Sequence, residues 1–322
     1  MIPDAIDLSW VIAFQSLGDW LTWPMQFFSF LGTEEFYILV MPLIYWCIDA
    51  RMGIRVGAIT LLSGGLNFIF KIPLTGPRPY WVSTAVKPLW AEVYFGIPSG
   101  HAQQAVVVWG SIAAYLRRGW AWGIAAFLML MIGLSRIFLG AHFFIDVFAG
   151  WLVGALLLWL FLRYWDPVAG WAQNQSLVRQ HLYAFLVSFG IVFLGWVAIY
   201  ATRNFVIPGD WIINASRIGD EGIAPFTLSG IITSAGTLFG FLVGVASLAQ
   251  RDGWQVSGPV WKRVVRFVIG LLVVIIIWYG LGLVFPRGET LDAFLFRFIR
   301  YALLGIWVSA GAPIFFTKLK LS

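Results

Sequence analysis

Gly119–Arg163 reads GWAWGIAAFLMLMIGLSRIFLGAHFFIDVFAGWLVGALLLWLFLR. Two apolar runs, 119–137 and 142–163, each have the length a helix needs to cross a bilayer, about 17–25 residues. A very short connection separates them and holds most of the polar chemistry of the stretch. Ser135-Arg136 ends the first run, His142 opens the second, and Asp146 lies one turn further in. No strict alternation of apolar and polar residues runs through it, which argues against a membrane β-barrel. The stretch predicts two transmembrane helices with ionisable groups gathered at one end, where such groups are costly and usually functional.

The rest of the chain repeats the pattern. Of 322 residues, 60% are hydrophobic and 11% charged, and mean hydropathy is +0.85. A soluble domain carries roughly 25% charged residues, so too little polar surface exists here to coat a water-soluble globule. The expected fold is all-α, a polytopic transmembrane helical bundle. Spans are expected near 34–50, 54–71, 100–116, 119–137, 142–163, 181–201, 223–249, 264–286 and 294–317, about nine in all. Asp19 and Pro24 interrupt residues 8–31, which read as helical pieces lying in or against the interface.

The net charge of +6 comes from basic residues scattered at helix ends, so no nucleic-acid partner is expected. Arg51, Arg55, Arg117, Arg118, Arg163, Arg179, Arg251, Lys262, Arg263, Arg266, Lys318 and Lys320 fall on one side of the bilayer. The positive-inside rule makes that side cytoplasmic. The wholly acidic N-terminal arm (Asp4, Asp7, Asp19, Glu34, Glu35) falls on the other side. The N-terminus is expected outside and the C-terminus inside. Cys47 is the only cysteine, so no internal disulfide is possible, and it reads as a small buried hydrophobe. No secretory signal peptide is expected, because the first basic residue is Arg51.

Three polar patches fall on the outer face. In Pro98-Ser99-Gly100-His101, Ser99 is a good helix N-cap, and Gly100 allows a ligand close to the backbone. The free N–H groups of a helix start make an anion site. The bland alternative is a capped helix with an interfacial histidine. His142 and Asp146 are four apart and share a helix face. A carboxylate that accepts the Nδ1–H leaves Nε2 as an unprotonated nucleophile, although a buried pair that only locks packing has the same spacing. Lys71, Arg78 and Arg136 supply cations suited to phosphate oxygens, or else snorkel to headgroups. Their common face and complementary charge favour the phosphate reading. His181 has no charged partner at useful spacing. No His, Cys or carboxylate group has metal-ligand spacing. Asp146 is read as the only carboxylate of the constellation and is engaged by His142, so no metal and no cofactor is expected.

At these residues the chain resembles the type-2 phosphatidic acid phosphatase superfamily. Lys71…Arg78-Pro79, Pro98-Ser99-Gly100-His101 and Ser135-Arg136…His142…Asp146 match its three ordered motifs at every core position. The resemblance covers about residues 35–163. It implies a phospho-histidine on His142, oriented by Asp146, with His101 as the acid and base. It implies a phosphoryl site made by Lys71, Arg78, Arg136, Ser99 and the Gly100 N–H. The implied organisation is an N-terminal interfacial helical segment (1–33), a phosphatase core carrying all three motifs (34–163), and C-terminal transmembrane helices without an assigned role (164–322). Bacterial members share a six-span core, whereas the glucose-6-phosphatase branch has nine spans. The expected partners are the bilayer and a lipid phosphate monoester or lipid or prenyl diphosphate. The expected place is a bacterial inner membrane, with the site facing the periplasm or exterior. A soluble sugar phosphate, or phosphotransfer to an acceptor other than water, is the alternative. A transporter or scaffold is the competing class, but spans six to nine hold almost no ionisable residue of the kind such a protein needs near the midplane.

Overall fold

The long apolar runs become helices, because a backbone in hydrocarbon must satisfy its own hydrogen bonds. The computed structural model describes residues 8–218, 222–251 and 253–321; Asp4 and Asp7 of the acidic arm lie outside them. In chain order the α-helices are α1 Ser9–Gln15, α2 Thr22–Phe30, α3 Glu34–Leu43, α4 Ala50–Leu74 and α5 Pro79–Val82. They continue as α6 Gly100–Leu116, α7 Gly119–Phe138, α8 Phe144–Gln173, α9 Leu177–Ala201 and α10 Gly209–Ala215. The last are α11 Ser229–Ala249, α12 Val260–Ile275, α13 Leu281–Val284, α14 Leu291–Ile306 and α15 Ala312–Lys318. Single π-turns at Ile276–Gly280 and Trp307–Gly311 join α12 to α13 and α14 to α15 into continuous rods.

Among the described residues, seven helices are long and apolar enough to cross a membrane: Ala50–Val82, Gly119–Phe138, Phe144–Gln173, Leu177–Ala201, Ser229–Ala249, Val260–Val284 and Leu291–Lys318. The count becomes eight if Asp19–Phe30 and Glu34–Ile48, bent by 51° at their junction, form one broken span. Two features separate this from the nine expected. The expected span at 34–50 is one arm of that bend. The expected span at 100–116 is α6, whose 17 residues leave it shorter than any of the seven. In the N-terminal segment, Gly18 at φ 112° and a 3₁₀ turn at Asp19–Leu21 break the helix. Pro24 is accommodated in the first turn of α2, where a proline removes no needed N–H.

The chain forms two compact units. One comprises the described residues within 1–36, 67–159 and 196–227; the other comprises those within 37–66, 160–195 and 228–322. In the first unit the core gathers Val11, Tyr80, Trp81, Val86, Phe95, Ala102, Ile137, Val147, Trp211 and Ala215. The helices α6 and α7 pack together, and α2 lies on α7. Gly150 and Gly154 of α8 face α6: a Cβ at Gly150 would meet Ser99 O at 2.5 Å, and one at Gly154 would meet Gln103 O at 2.8 Å. Small residues four apart let two membrane helices approach closely, and this approach sets Asp146 beside the start of α6. At the end of the Ala50–Val82 span, α10 packs on α5. Asn214 donates to Trp81 O at 2.9 Å, and Arg217 donates to Tyr80 O, Ser83 O and Thr84 O at 3.0, 3.0 and 3.2 Å. These bonds satisfy the carbonyls of the corner that follows Arg78.

In the second unit, α11 and α14 cross along Gly236, Gly240 and Gly244, whose missing side chains leave room for Phe298, Ala302 and Ser309. A third π-turn, Ile44–Ile48, extends α3 past Pro42. Tyr45 Oη donates to Ser309 O at 2.8 Å, and Trp46 Nε1 donates to Val308 O at 2.8 Å. The carbonyls of one π-turn thus find partners on another, which matters where no water is available. Buried Arg266 donates to Trp46 O at 3.1 Å. Cys47 is buried here, with Sγ 3.2 Å from Arg263 O.

Candidate active site

The residues of all three motifs fall within the first unit. Ser99 is the N-cap of α6, and its Oγ accepts from Ala102 N at 3.5 Å. Ser99 N donates to Asp146 O at 2.9 Å, tying the second motif to the third. Gly100 opens the helix against Asn67, and a Cβ there would lie 3.0 Å from Asn67 Oδ1. Asn67 in turn donates to Pro98 O at 3.3 Å and to Gln103 Oε1 at 2.9 Å. One turn beyond Asn67 on α4, Lys71 is buried, with Nζ donating to Phe95 O at 2.8 Å and Gly96 O at 3.0 Å. It does not snorkel.

His142 sits in the turn between α7 and α8, 1% exposed. Its Nδ1 lies 3.3 Å from Asp146 Oδ2, and Phe143 N donates to the same oxygen at 3.0 Å. Its Nε2 lies 3.1 Å from Arg78 Nη1. A guanidinium has donors only, so this contact requires Nε2 to carry the lone pair and Nδ1 to carry the proton. Burial lowers the pKa of His142 well below the usual histidine range, and Arg78, Lys71, Arg136 and His101 push it in the same direction. The ring is therefore a neutral base with its lone pair aimed at a cation. Gly96 is required beside the pair, since a Cβ there would meet Pro77 O at 2.7 Å and Asp146 Oδ2 at 2.8 Å.

Arg78 is 1% exposed. Its Nε donates to Tyr94 O at 2.6 Å, Nη1 to Ala141 O at 2.9 Å, and Nη2 to Phe95 O at 3.1 Å. Arg136 is fully buried; Nη1 donates to Ser29 Oγ at 2.6 Å, and the guanidinium lies over Trp90 at 5.2 Å. The His101 ring packs edge-on to Trp90 at 6.4 Å, and its Nε2 has no hydrogen-bond partner among the described residues.

The structure adds groups that the sequence reading left out. The main one is Glu92, whose Oε1 accepts from Arg136 Nη2 and whose Oε2 lies 3.5 Å from Arg78 Nη2. Burial raises the pKa of its carboxyl, but Arg78, Arg136, His101 and Lys71 outweigh that and hold it at about 2. This corrects the expectation that Asp146 is the only carboxylate of the constellation. A signal existed, because Glu92 is the single acidic residue of the 72–98 loop, but only folding brings it between two arginines. Ser29 and Asn67 are further additions; Asn67 could have been found by its spacing from Lys71. His181 lies in the second unit, 3.1 Å from Ser247 Oγ.

The site thus combines a neutral imidazole, three buried cations, a helix N-terminus and a second histidine, which suits attack on a bound phosphoryl group. Residues 53–169 match the family model described as PAP2 superfamily. Residues 232–322 match that described as PAP2 superfamily phosphatase, transmembrane extension. Human glucose-6-phosphatase 3 is 31% identical over 173 residues, covering 46% of this chain and 50% of the relative. Human sphingosine-1-phosphate phosphatase 2 is 31% identical over 148 residues, covering 44% of this chain and 37% of the relative. The chain thus spans half or less of the length of these curated relatives. The crystal structure of a PAP2-type phosphatidylglycerolphosphate phosphatase from Bacillus subtilis is 24% identical, with a TM-score of 0.42, over 49% of this chain and 85% of that one.

Proposed function

The chain belongs to the PAP2 superfamily, and from that membership we propose that it hydrolyses a phosphate monoester or terminal diphosphate of a membrane lipid through a phospho-histidine. His142 Nε2 attacks phosphorus while Asp146 holds the Nδ1–H. The bond from phosphorus to the leaving oxygen breaks as His101 gives that oxygen a proton. His101 then takes a proton from water, the water oxygen attacks phosphorus, and the P–N bond breaks to return a neutral His142 and inorganic phosphate. Lys71, Arg78, Arg136, Ser99 and the Gly100 N–H hold the phosphoryl oxygens, whose charge the cations stabilise. The observation that carries this reading is the ring of His142, its lone pair on Nε2 and its Nδ1 on Asp146. The reaction is metal-independent on this reading. Asp146 is held by His142 and the Phe143 N–H, and Glu92 stands among the guanidiniums of Arg78 and Arg136, whose charge repels a metal cation.

The lipid reading rests on the motif residues lying at the ends of membrane helices, and on the sphingosine-1-phosphate phosphatases among the relatives. The similarity to glucose-6-phosphatase 3 supports a sugar phosphate as the second reading. By the charge distribution, the site faces the extracytoplasmic side. The deciding experiment is phosphate release by purified protein in EDTA across lipid phosphates, lipid diphosphates and glucose 6-phosphate. The expected result is turnover of a lipid substrate in chelator, abolished by His142→Ala. Turnover confined to glucose 6-phosphate favours the sugar, and activity that returns only with a divalent ion overturns the metal-free mechanism.

A further inference from the structure

Arg78 and Arg136 reach the site from different elements, and two buried guanidiniums repel each other unless an anion stands between them. Glu92 is that anion. Oε1 accepts from Arg136 Nη2 and Oε2 lies 3.5 Å from Arg78 Nη2, so one carboxylate spans both forks. A phosphoryl group held by the same arginines would present them with oxygens of the same kind. The remaining donors of Arg78 are already directed at Tyr94 O, Ala141 O, Phe95 O and His142 Nε2. Two polar atoms nearby are buried without a hydrogen-bond partner among the described residues: Arg136 Nε and His101 Nε2. Buried polar atoms are normally paired, so these two leave polar capacity beside the arginines that Glu92 alone does not satisfy.

The backbone of Glu92 is pinned. Its N–H donates to Tyr80 Oη at 3.0 Å, and the Tyr80 hydroxyl donates to Glu92 O at 3.1 Å. The side chain keeps 19% of its surface exposed, so its torsions can turn the carboxylate off the arginines while the loop stays in place. We propose that Glu92 is an internal anion, held by Arg78 and Arg136 in the substrate-free protein and exchanged for the phosphoryl group when substrate binds. This deepens the phosphatase reading and rests on Arg78 and Arg136 being phosphoryl ligands. It also assigns Glu92 a part in specificity. A terminal phosphoryl carries about −1.5 to −2 charges at neutral pH and displaces a carboxylate from the arginines. A phosphodiester, with one charge, has no such advantage. The site thus discriminates by competition built into the fold.

The test is inhibition by inorganic phosphate, with KM and kcat, for full-length protein and Glu92→Gln. Removing a competitor that occupies the site most of the time raises apparent affinity by the inverse of the competent fraction. The inhibition constant for inorganic phosphate and the KM are expected to fall about tenfold in Glu92→Gln, with kcat changing less. A purely structural Glu92 predicts the opposite, since unsupported arginines bind phosphate more weakly; an unchanged or raised inhibition constant overturns the proposal. Should Glu92→Gln fail to fold, Glu92→Asp carries the test. Its carboxylate is one methylene too short to bridge both guanidiniums, so tighter inhibition is again expected and an unchanged constant overturns the proposal. If inorganic phosphate inhibits neither wild type nor variant, the phosphoryl-site reading itself fails and takes the proposal with it. If wild type is inhibited but no variant more tightly, the proposal alone falls.

Discussion

At position 142 the chemistry turns on one proton. The ring keeps Nε2 unprotonated because burial, with Arg78, Lys71, Arg136 and His101 beside it, disfavours a charged imidazole. Its pKa is lowered, so the neutral imidazole that the proposed mechanism needs survives at pH values where an ordinary histidine is charged. The acid limb of kcat/KM, which reports the free protein, is expected below pH 6.5 in a pH–rate profile. The same shift means the unfolded chain binds this proton first, so His142 subtracts stability as pH falls below the ordinary histidine value. Glu92 has the sign of a depressed carboxylate. Its contribution is full above the unfolded value near 4.5 and is lost as pH falls toward about 2. Asp146→Asn should leave the ring in place but remove the acceptor that fixes Nδ1–H. A loss of about 10²–10⁴ in kcat is expected from steady-state kinetics, the range a positioned acid–base partner commands; a loss under threefold would argue that Asp146 only packs. The motif residues were legible in the sequence because each depends on local spacing. Glu92 was not, because its role exists only where two distant arginines converge.

Helix crossings decide whether those residues meet. Gly150 lets α8 lie against the first turn of α6, with Ser99 N donating to Asp146 O. Gly150→Ala would press a methyl on a backbone oxygen that cannot move aside. A destabilisation of about 1–3 kcal/mol is expected by thermal or denaturant unfolding. Because small displacements at a reacting centre cost up to about a hundredfold, kcat should fall more than stability alone explains. Arg217 makes the other element-level prediction. It holds the carbonyls of Tyr80, Ser83 and Thr84, the corner just after Arg78. Arg217→Gln should raise KM severalfold, with a small loss of stability, and an unchanged KM would show that the corner holds itself. The sequence marked residues 202–222 only as an outer loop. Its contact with α5 was not legible, since hydrogen bonds to backbone carbonyls leave no residue-type signature on the accepting side.

For the whole molecule, the testable quantity is topology. A single cysteine introduced by Ala85→Cys, with Cys47→Ser, puts a thiol on an exposed position of the 72–98 loop. Labelling by a membrane-impermeant reagent from the extracytoplasmic side is expected, and labelling from the cytoplasm alone would reverse the orientation. The second unit has its own keystone in Trp46, fully buried and bonded to Val308 O. Trp46→Ala should cost about 3–5 kcal/mol in unfolding experiments.

Composition and periodicity by themselves determined an all-helical membrane protein and the positions of nearly all its spans, and residue spacing made the three motifs legible as a resemblance. Those features are local: a run of apolar residues is long enough to cross or it is not, and a motif is a matter of spacing. Only the tertiary structure decided that the segment at 19–48 is bent by 51°, that Ser29 bonds Arg136, Asn67 bonds Pro98 and Arg217 bonds the corner after Arg78, and that Glu92 lies between the two arginines. Each of these depends on atoms far apart in the chain meeting at hydrogen-bond distance, and the energy of such a meeting is written in no single segment.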